Sequence, residues 1–200
     1  MINKNSKKEL YQLILANDSL NTALSTLTIL EELQISNSGD DSMFHALQES
    51  LIISYGRAFT EMKPFWKISD EWSKFDDVNQ QACHDQLSKA RHKRYAHVDY
   101  FPEKVIMYPK GTLKISEDKF NEHTNHVVKF QVYSYHAYPL MRQTIQMGLT
   151  RMNYRIRDLI IDIYENREDF KQPEELISMD DLKELLSKKE YEKLMNNTIE

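Results

Sequence analysis

Between Ser6 and Gln34 the apolar residues fall at Leu10, Leu13, Ile14, Leu20, Leu24, Leu27 and Leu30. Steps of three and four put them on one face of an amphipathic helix, with Asn17-Asp18 as its weak point. The stretch ISNSGDD, Ile35 to Asp41, interrupts the period and supplies a cap. A second helix is therefore expected from Asp41 to Ala58, with Phe44, Leu47, Leu51, Ile52 and Tyr55 along one side. Thr60 to Asp76 has no period at all; Pro64, two tryptophans and two phenylalanines mark a connection anchored by aromatic rings. Asp76 or Asp77 then caps a third helix, which runs into SKARHKRYAHVDY, Ser88 to Tyr100.

Beyond it, Val105 to Tyr108 and Thr112 to Ile115 read as extended and flank Pro109-Lys110-Gly111, a turn sequence, so a small hairpin is expected there. Ser116, Glu117 and Asp118 suit a helix start, which opens a long helical region from Glu117 to about Glu168. Pro139 divides that region near Ala137. Its second part has Leu149, Met152, Ile156, Leu159, Ile160 and Ile163 as an apolar stripe. Ser178 and Asp181 form a box-like pair opening a short helix from Asp180 to about Asn196. The expected fold is all-α: an up-and-down bundle of about five helices over residues 1–168, with a small hairpin insertion. A linker and an acidic C-terminal helix follow over 169–200.

Composition supports a helical chain, since only four glycines and five prolines punctuate it. The single cysteine, Cys83, excludes an internal disulfide and fits a reducing compartment. MINKNSKKEL lacks the apolar core of a secretory signal, and no apolar run approaches the ~20 residues of a membrane span, so a cytoplasmic protein with no membrane partner is expected. Net charge is −5, which disfavours a general polyanion binder. That charge resides in the C-terminal part, where residues 165–200 hold 11 acidic and 6 basic side chains. The rest is neutral, with a local basic spot at Lys89, Arg91, Lys93 and Arg94.

On a helical wheel Arg91 and Arg94 share the stripe of Leu87, Ala90 and Val98, whereas Lys93 faces water. An arginine on a core-facing stripe snorkels, pairs with a carboxylate, or waits at a desolvated interface. Glu49 and Asp158 are the carboxylates weighed for the pairing. His97 is either a helix-end charge or a group that moves protons near neutral pH. Arg91 and His97 lie roughly 9 Å apart along the axis and about 120° around it. They converge on one phosphorus only if the helix frays or if two copies meet at a dyad. His123 and His126 sit three apart, with Glu122 beside them, but no Cys pair or HExxH accompanies them, and no P-loop or GxGxxG occurs. No metal and no cofactor are expected. Arg151, Arg155 and Arg157 with Asp158 and Asp162 suggest pairs along one helix face.

RHKRYAH, Arg91 to His97, resembles the R-x(4–6)-H motif of the HEPN superfamily (higher eukaryotes and prokaryotes nucleotide-binding), and His92 stands where that family has a polar residue. The wider LSKARHKRYAHVD is similar to the L-x-x-x-R-N-K-x-x-A-H-x-D form of bacterial members. SYGRAFT, Ser54 to Thr60, resembles the second-helix segment of one such group. The HepT branch carries a tyrosine two residues after the histidine, whereas Tyr100 here comes three after His97, so modification of Tyr100 is not expected. The resemblance implies a metal-independent endoribonuclease, a toxin or defence effector, acting as a homodimer through attack of the RNA 2′-hydroxyl. It implies Arg91 and His97 as catalytic, with His92, Lys93, Arg94 and Asp99 supporting them or binding RNA. Partners would be RNA, a second copy, and an antitoxin or regulatory protein. The alternative is a catalytically silent HEPN-like module binding a protein, RNA or nucleotide. Its marks would be Arg91 paired to a buried carboxylate and His97 turned from any cleft. A helical adaptor that uses its acidic C-terminal region is a third reading.

Overall fold

The computed structural model describes residues 4–36, 41–60, 67–92, 104–108, 114–116, 119–120, 125–129, 134–165 and 175–197. Most of the described chain is helical, in an all-α bundle. Helix α1 spans Lys4–Ser36, α2 Asp41–Arg57, α3 Val78–Ala90 and α4 Tyr138–Ile160, the last continued by a π-helical turn, Ile161–Glu165. Among the described residues no helix is long and apolar enough to cross a membrane.

Helix α1 is the spine, packed against α2 and α4, and α3 lies against both of those. Its buried stripe is Leu10, Leu13, Ala16, Leu20, Ala23, Leu27 and Leu30. Ile14, placed in the stripe by its spacing, is instead exposed, and Leu24 is half-buried. The two alanines take their places because small side chains let neighbouring helices come close. Gly148 of α4 works the same way: a Cβ there would lie 3.1 Å from Leu20 Cδ1. Complete burial of each leucine stabilises by about 1.5–3 kcal/mol, which makes α1 the main source of cohesion. The expected weak point at Asn17-Asp18 is absent. The helix runs through it, and Asn17 Nδ2 donates to Asn153 Oδ1 of α4 at 2.9 Å. Ser19, Thr22, Thr26 and Thr28 each donate a hydroxyl hydrogen to a carbonyl one turn back, so their side chains do not compete with the helix.

Asp77 caps α3, its carboxylate accepting from Gln80 N at 2.9 Å. Pro139 stands at the start of α4, preceded by a 3₁₀ turn, Tyr135–Ala137, so the break expected near Ala137 is there. What precedes the break differs from expectation. Residues within the expected helix from Glu117 form strands. β1 (Lys104–Tyr108) pairs antiparallel with β4 (Asn125–Lys129), opposing Val105 to Val128 and Tyr108 to Asn125. β2 (Lys114–Ser116) pairs with β3 (Lys119–Phe120). The hairpin expected between Val105–Tyr108 and Thr112–Ile115 is thus replaced by a longer-range ladder. β-Branched Val105, Ile106, Val127 and Val128 favour it.

The C-terminal helix also divides, into α5 (Met179–Leu185) and α6 (Lys188–Asn197). The break falls where Leu186 turns extended and buries its side chain. Ser178 and Asp181 form the capping box: Ser178 Oγ accepts from Asp181 N at 3.2 Å and Asp181 Oδ2 accepts from Ser178 N at 2.9 Å. Leu176 packs on the core of the bundle, and Lys7 Nζ of α1 lies 4.0 Å from Asp181 Oδ2.

Candidate phosphate-contacting site at the end of the third helix

One face of α3 is built from residues at helical spacing. Cys83, His84 and Leu87 are buried, and Arg91, seven residues after His84, continues that flank after two turns. The end of α2 faces it. Gly56 makes the approach possible: a Cβ at Gly56 would stand 2.5 Å from Arg91 Cδ and 2.7 Å from Cγ. Even alanine there would have to displace the arginine stem near its root. The aliphatic part of Arg91 therefore lies across the α2 backbone, and burial lowers its pKa from the ordinary value. It stays cationic at any ordinary pH.

Among the described residues no carboxylate meets that guanidinium. Among the described residues Arg91 has neither a salt bridge nor a hydrogen-bond partner, so the pairing weighed with Glu49 or Asp158 is not formed. Arg91 instead lines a cavity of about 130 Å³ with Gly56, Phe59, Lys67, His84 and His92. Among the described residues no aspartate or glutamate lines it. Lys67 Nζ bonds to Asp70, and this bond holds the Asp70 carboxyl below its usual range. His92 is exposed beside Arg91. The cavity is thus a small concave surface with a positive wall, suited to an oxyanion.

Of the residues assigned by the motif, Arg91 and His92 are brought to this cavity. His97, Lys93, Arg94 and Asp99 lie outside the described residues. The motif does not contain His84, which the structure adds. Its Nδ1 is 2.8 Å from Tyr55 Oη, and the ring stands edge-on to Phe59 at 4.8 Å and tilted to Phe75 at 5.4 Å. Burial pulls its pKa below the usual histidine value; Asp85 opposes that shift and Lys67 adds to it. Burial likewise pushes the Tyr55 hydroxyl well up, so it remains protonated. The signal for His84 was its offset of about 20° from Arg91 on the wheel.

Other candidates resolve differently. Cys83 is buried and burial pushes its thiol up, which leaves little thiolate for nucleophilic chemistry. His126 sits on β4 opposite Met107, so the helical face expected to carry it with His123 is absent; His123 lies outside the described residues. Among the described residues no group of three His, Cys, Asp or Glu could hold a metal ion. The main partner of Arg155 is not on its own helix: it forms a two-pronged bond to Glu9 of α1, both contacts 2.8 Å, while Asp158 and Asp162 add only their field. Arg151 donates to the carbonyls of Lys74 and Glu71, and its guanidinium carbon lies 5.6 Å from the Trp72 ring centre. The described end of the aromatic connection, around Trp72, is therefore pinned down by α4. No family model, no curated protein and no solved structure matches this chain.

Proposed function

We propose that this chain is a HEPN-type endoribonuclease, a toxin or defence effector that cuts RNA as a homodimer without a metal ion. In this reading the RNA 2′-oxygen attacks the adjacent phosphorus and loses its proton to a base. The bond from phosphorus to the 5′-oxygen breaks, and that oxygen takes up a proton. The products are a 2′,3′-cyclic phosphate and a 5′-hydroxyl. His97 suits the proton transfers by its pKa class. Arg91 suits the charge that builds on the phosphoryl oxygens, through its planar fork of donors. Two copies of the set at a dyad would bring together an Arg91 and a His97 that one straight helix holds about 120° apart.

The observation that carries this reading is Arg91: among the described residues it is a half-buried cation at a cavity with no acidic lining and no carboxylate partner. Packing of its stem on α2 accounts for part of that burial; a guanidinium with no carboxylate partner among the described residues is what a site that receives an anion would present.

The test is RNA incubated in excess chelator with wild-type protein, Arg91→Ala and His97→Ala, with the ends of the products identified. Wild type is expected to cleave and leave cyclic phosphate ends, and each variant is expected to lose cleavage. Cleavage that requires a divalent ion, or that survives both substitutions, refutes the mechanism.

A further inference from the structure

The cavity beside Arg91 ends on a group that the cleavage scheme leaves unused. His84 is held from three sides, by the Tyr55 hydroxyl at Nδ1 and by the rings of Phe59 and Phe75. Among the described residues its one hydrogen bond is that to Tyr55. No buried side-chain nitrogen or oxygen there lacks a partner, so Nε2 is not sealed in the interior. His84 lines the cavity, and Nδ1 is taken by Tyr55, so Nε2 is the ring nitrogen left to serve a ligand there. In the tautomer in which Tyr55 donates to Nδ1, the ring carries its hydrogen on Nε2. The cavity then presents an imidazole N–H at its floor and a guanidinium on its wall.

Size and charge narrow the occupant. A volume of about 130 Å³ equals four or so waters at roughly 30 Å³ each. That admits one tetrahedral oxyanion. Side chains on helices lean toward the N-terminus, so the Arg91 stem is directed back toward His84. Lys67 is held by Asp70 and contributes field more than contact. Asp85, the neighbour of His84 on α3, is not among the described residues that line the cavity.

We propose that this cavity is a phosphate subsite, in which His84 Nε2–H and the Arg91 guanidinium together hold one phosphate group of an RNA or a nucleotide. It rests on reading Arg91 as the phosphate-contacting group, and it adds His84 as a second binding residue, independent of His97. Gly56 is the residue that allows the arrangement, because only there can the Arg91 stem cross α2.

The experiment is a titration of the full chain, labelled in its histidine rings, with inorganic phosphate at constant ionic strength, followed by NMR. A saturable shift at His84 Nε2 is expected in wild type and in His97→Ala. Phosphate affinity is expected to fall about tenfold or more in Arg91→Gln, which loses a charge-assisted pair, and in Gly56→Ala. The alanine keeps every charge and suits a helix better than glycine, so a loss there reports displacement of Arg91. Arg91→Gln alone decides the matter if Gly56→Ala does not fold. No saturable response at His84, or one unchanged by Arg91→Gln, overturns the subsite.

Thymidylyl-thymidine, an internal diester without a 2′-hydroxyl, separates the two sources of phosphate. Competition with inorganic phosphate identifies an RNA backbone as occupant. Phosphate binding without competition identifies a terminal phosphate. Wild type that cleaves RNA without a response to phosphate refutes the subsite and leaves the nuclease standing. Binding without cleavage does the reverse.

Discussion

Three partly buried arginines end in different company. Arg142 of α4 bonds to Glu31 through Nε and Nη2, and Nη2 also donates to Thr28 Oγ1 at 3.0 Å. Arg155, between three and four turns nearer the other end of the helix, clasps Glu9. Both tie α4 to α1, and the Glu9 carboxylate raises the Arg155 pKa. Arg91 is buried to a similar degree, yet desolvation alone acts on it, and in the opposite direction. Arg142 and Arg155 are thus satisfied within the fold, whereas Arg91 has no carboxylate partner among the described residues. Burial of a cation is therefore poor evidence of function by itself; the absence of its carboxylate is the informative part.

The largest expected break in that comparison is Arg91→Ala. RNA cleavage should fall about 100-fold or more, the usual loss of a donor aimed at developing charge, while the melting temperature stays within a degree or two of wild type. Arg142→Ala should reverse the pattern. Glu31 would lose its partner in a half-buried setting, at a cost of about 1–2 kcal/mol, or several degrees of melting temperature at ~2–4 °C per kcal/mol. Cleavage at a permissive temperature should change little. Arg155→Ala should behave alike but more weakly, about 0.5–1 kcal/mol, because its pair is closer to water. Calorimetry and a cleavage assay on the same three preparations check all of this. A melting loss in Arg91→Ala as large as that in Arg142→Ala would place Arg91 among the structural arginines.

The same contrast explains what could be read from the chain. Helices α1 and α2, the Asp77 cap, the Pro139 break and the Ser178–Asp181 box were legible because each is a local pattern. The expected helix from Glu117 failed because β4 depends on pairing with β1, a partner far along the chain, and no local period records that. Arg155 was misassigned for a similar reason: Asp158 and Asp162 are close in sequence, whereas Glu9 is close in space. At the site, Arg91 was legible as an anomaly on its wheel. That Tyr55 and Gly56 come opposite His84 and Arg91 was not, since it requires α2 and α3 to be packed together. His84 lies outside the motif, two turns upstream of Arg91 on the same flank of α3.

The smallest effect expected is in the dependence of stability on pH, and it separates His84 from Arg91. Arg91 stays charged throughout, so it contributes no slope. His84 is a base whose folded pKa lies below its ordinary value of 6.5. Above about pH 6.5 both the folded and the unfolded chain hold it neutral, and its contribution is complete. As pH falls through that value the unfolded chain binds the proton first, so stability declines until the folded pKa is passed. The groups around the ring set the size of the decline: Tyr55 and Phe59 from α2, Phe75, Lys67, and Asp85 beside it. Asp85 favours the charged ring and limits the shift, while burial and Lys67 enlarge it. Thermal melts of wild type and His84→Asn at about pH 7.5 and about pH 5.5 read the difference. Wild type should lose more melting temperature on acidification than the asparagine variant. Equal losses would mean that the histidine takes up its proton in the folded chain as easily as in water, and that the ring does not sit neutral at the floor of the cavity.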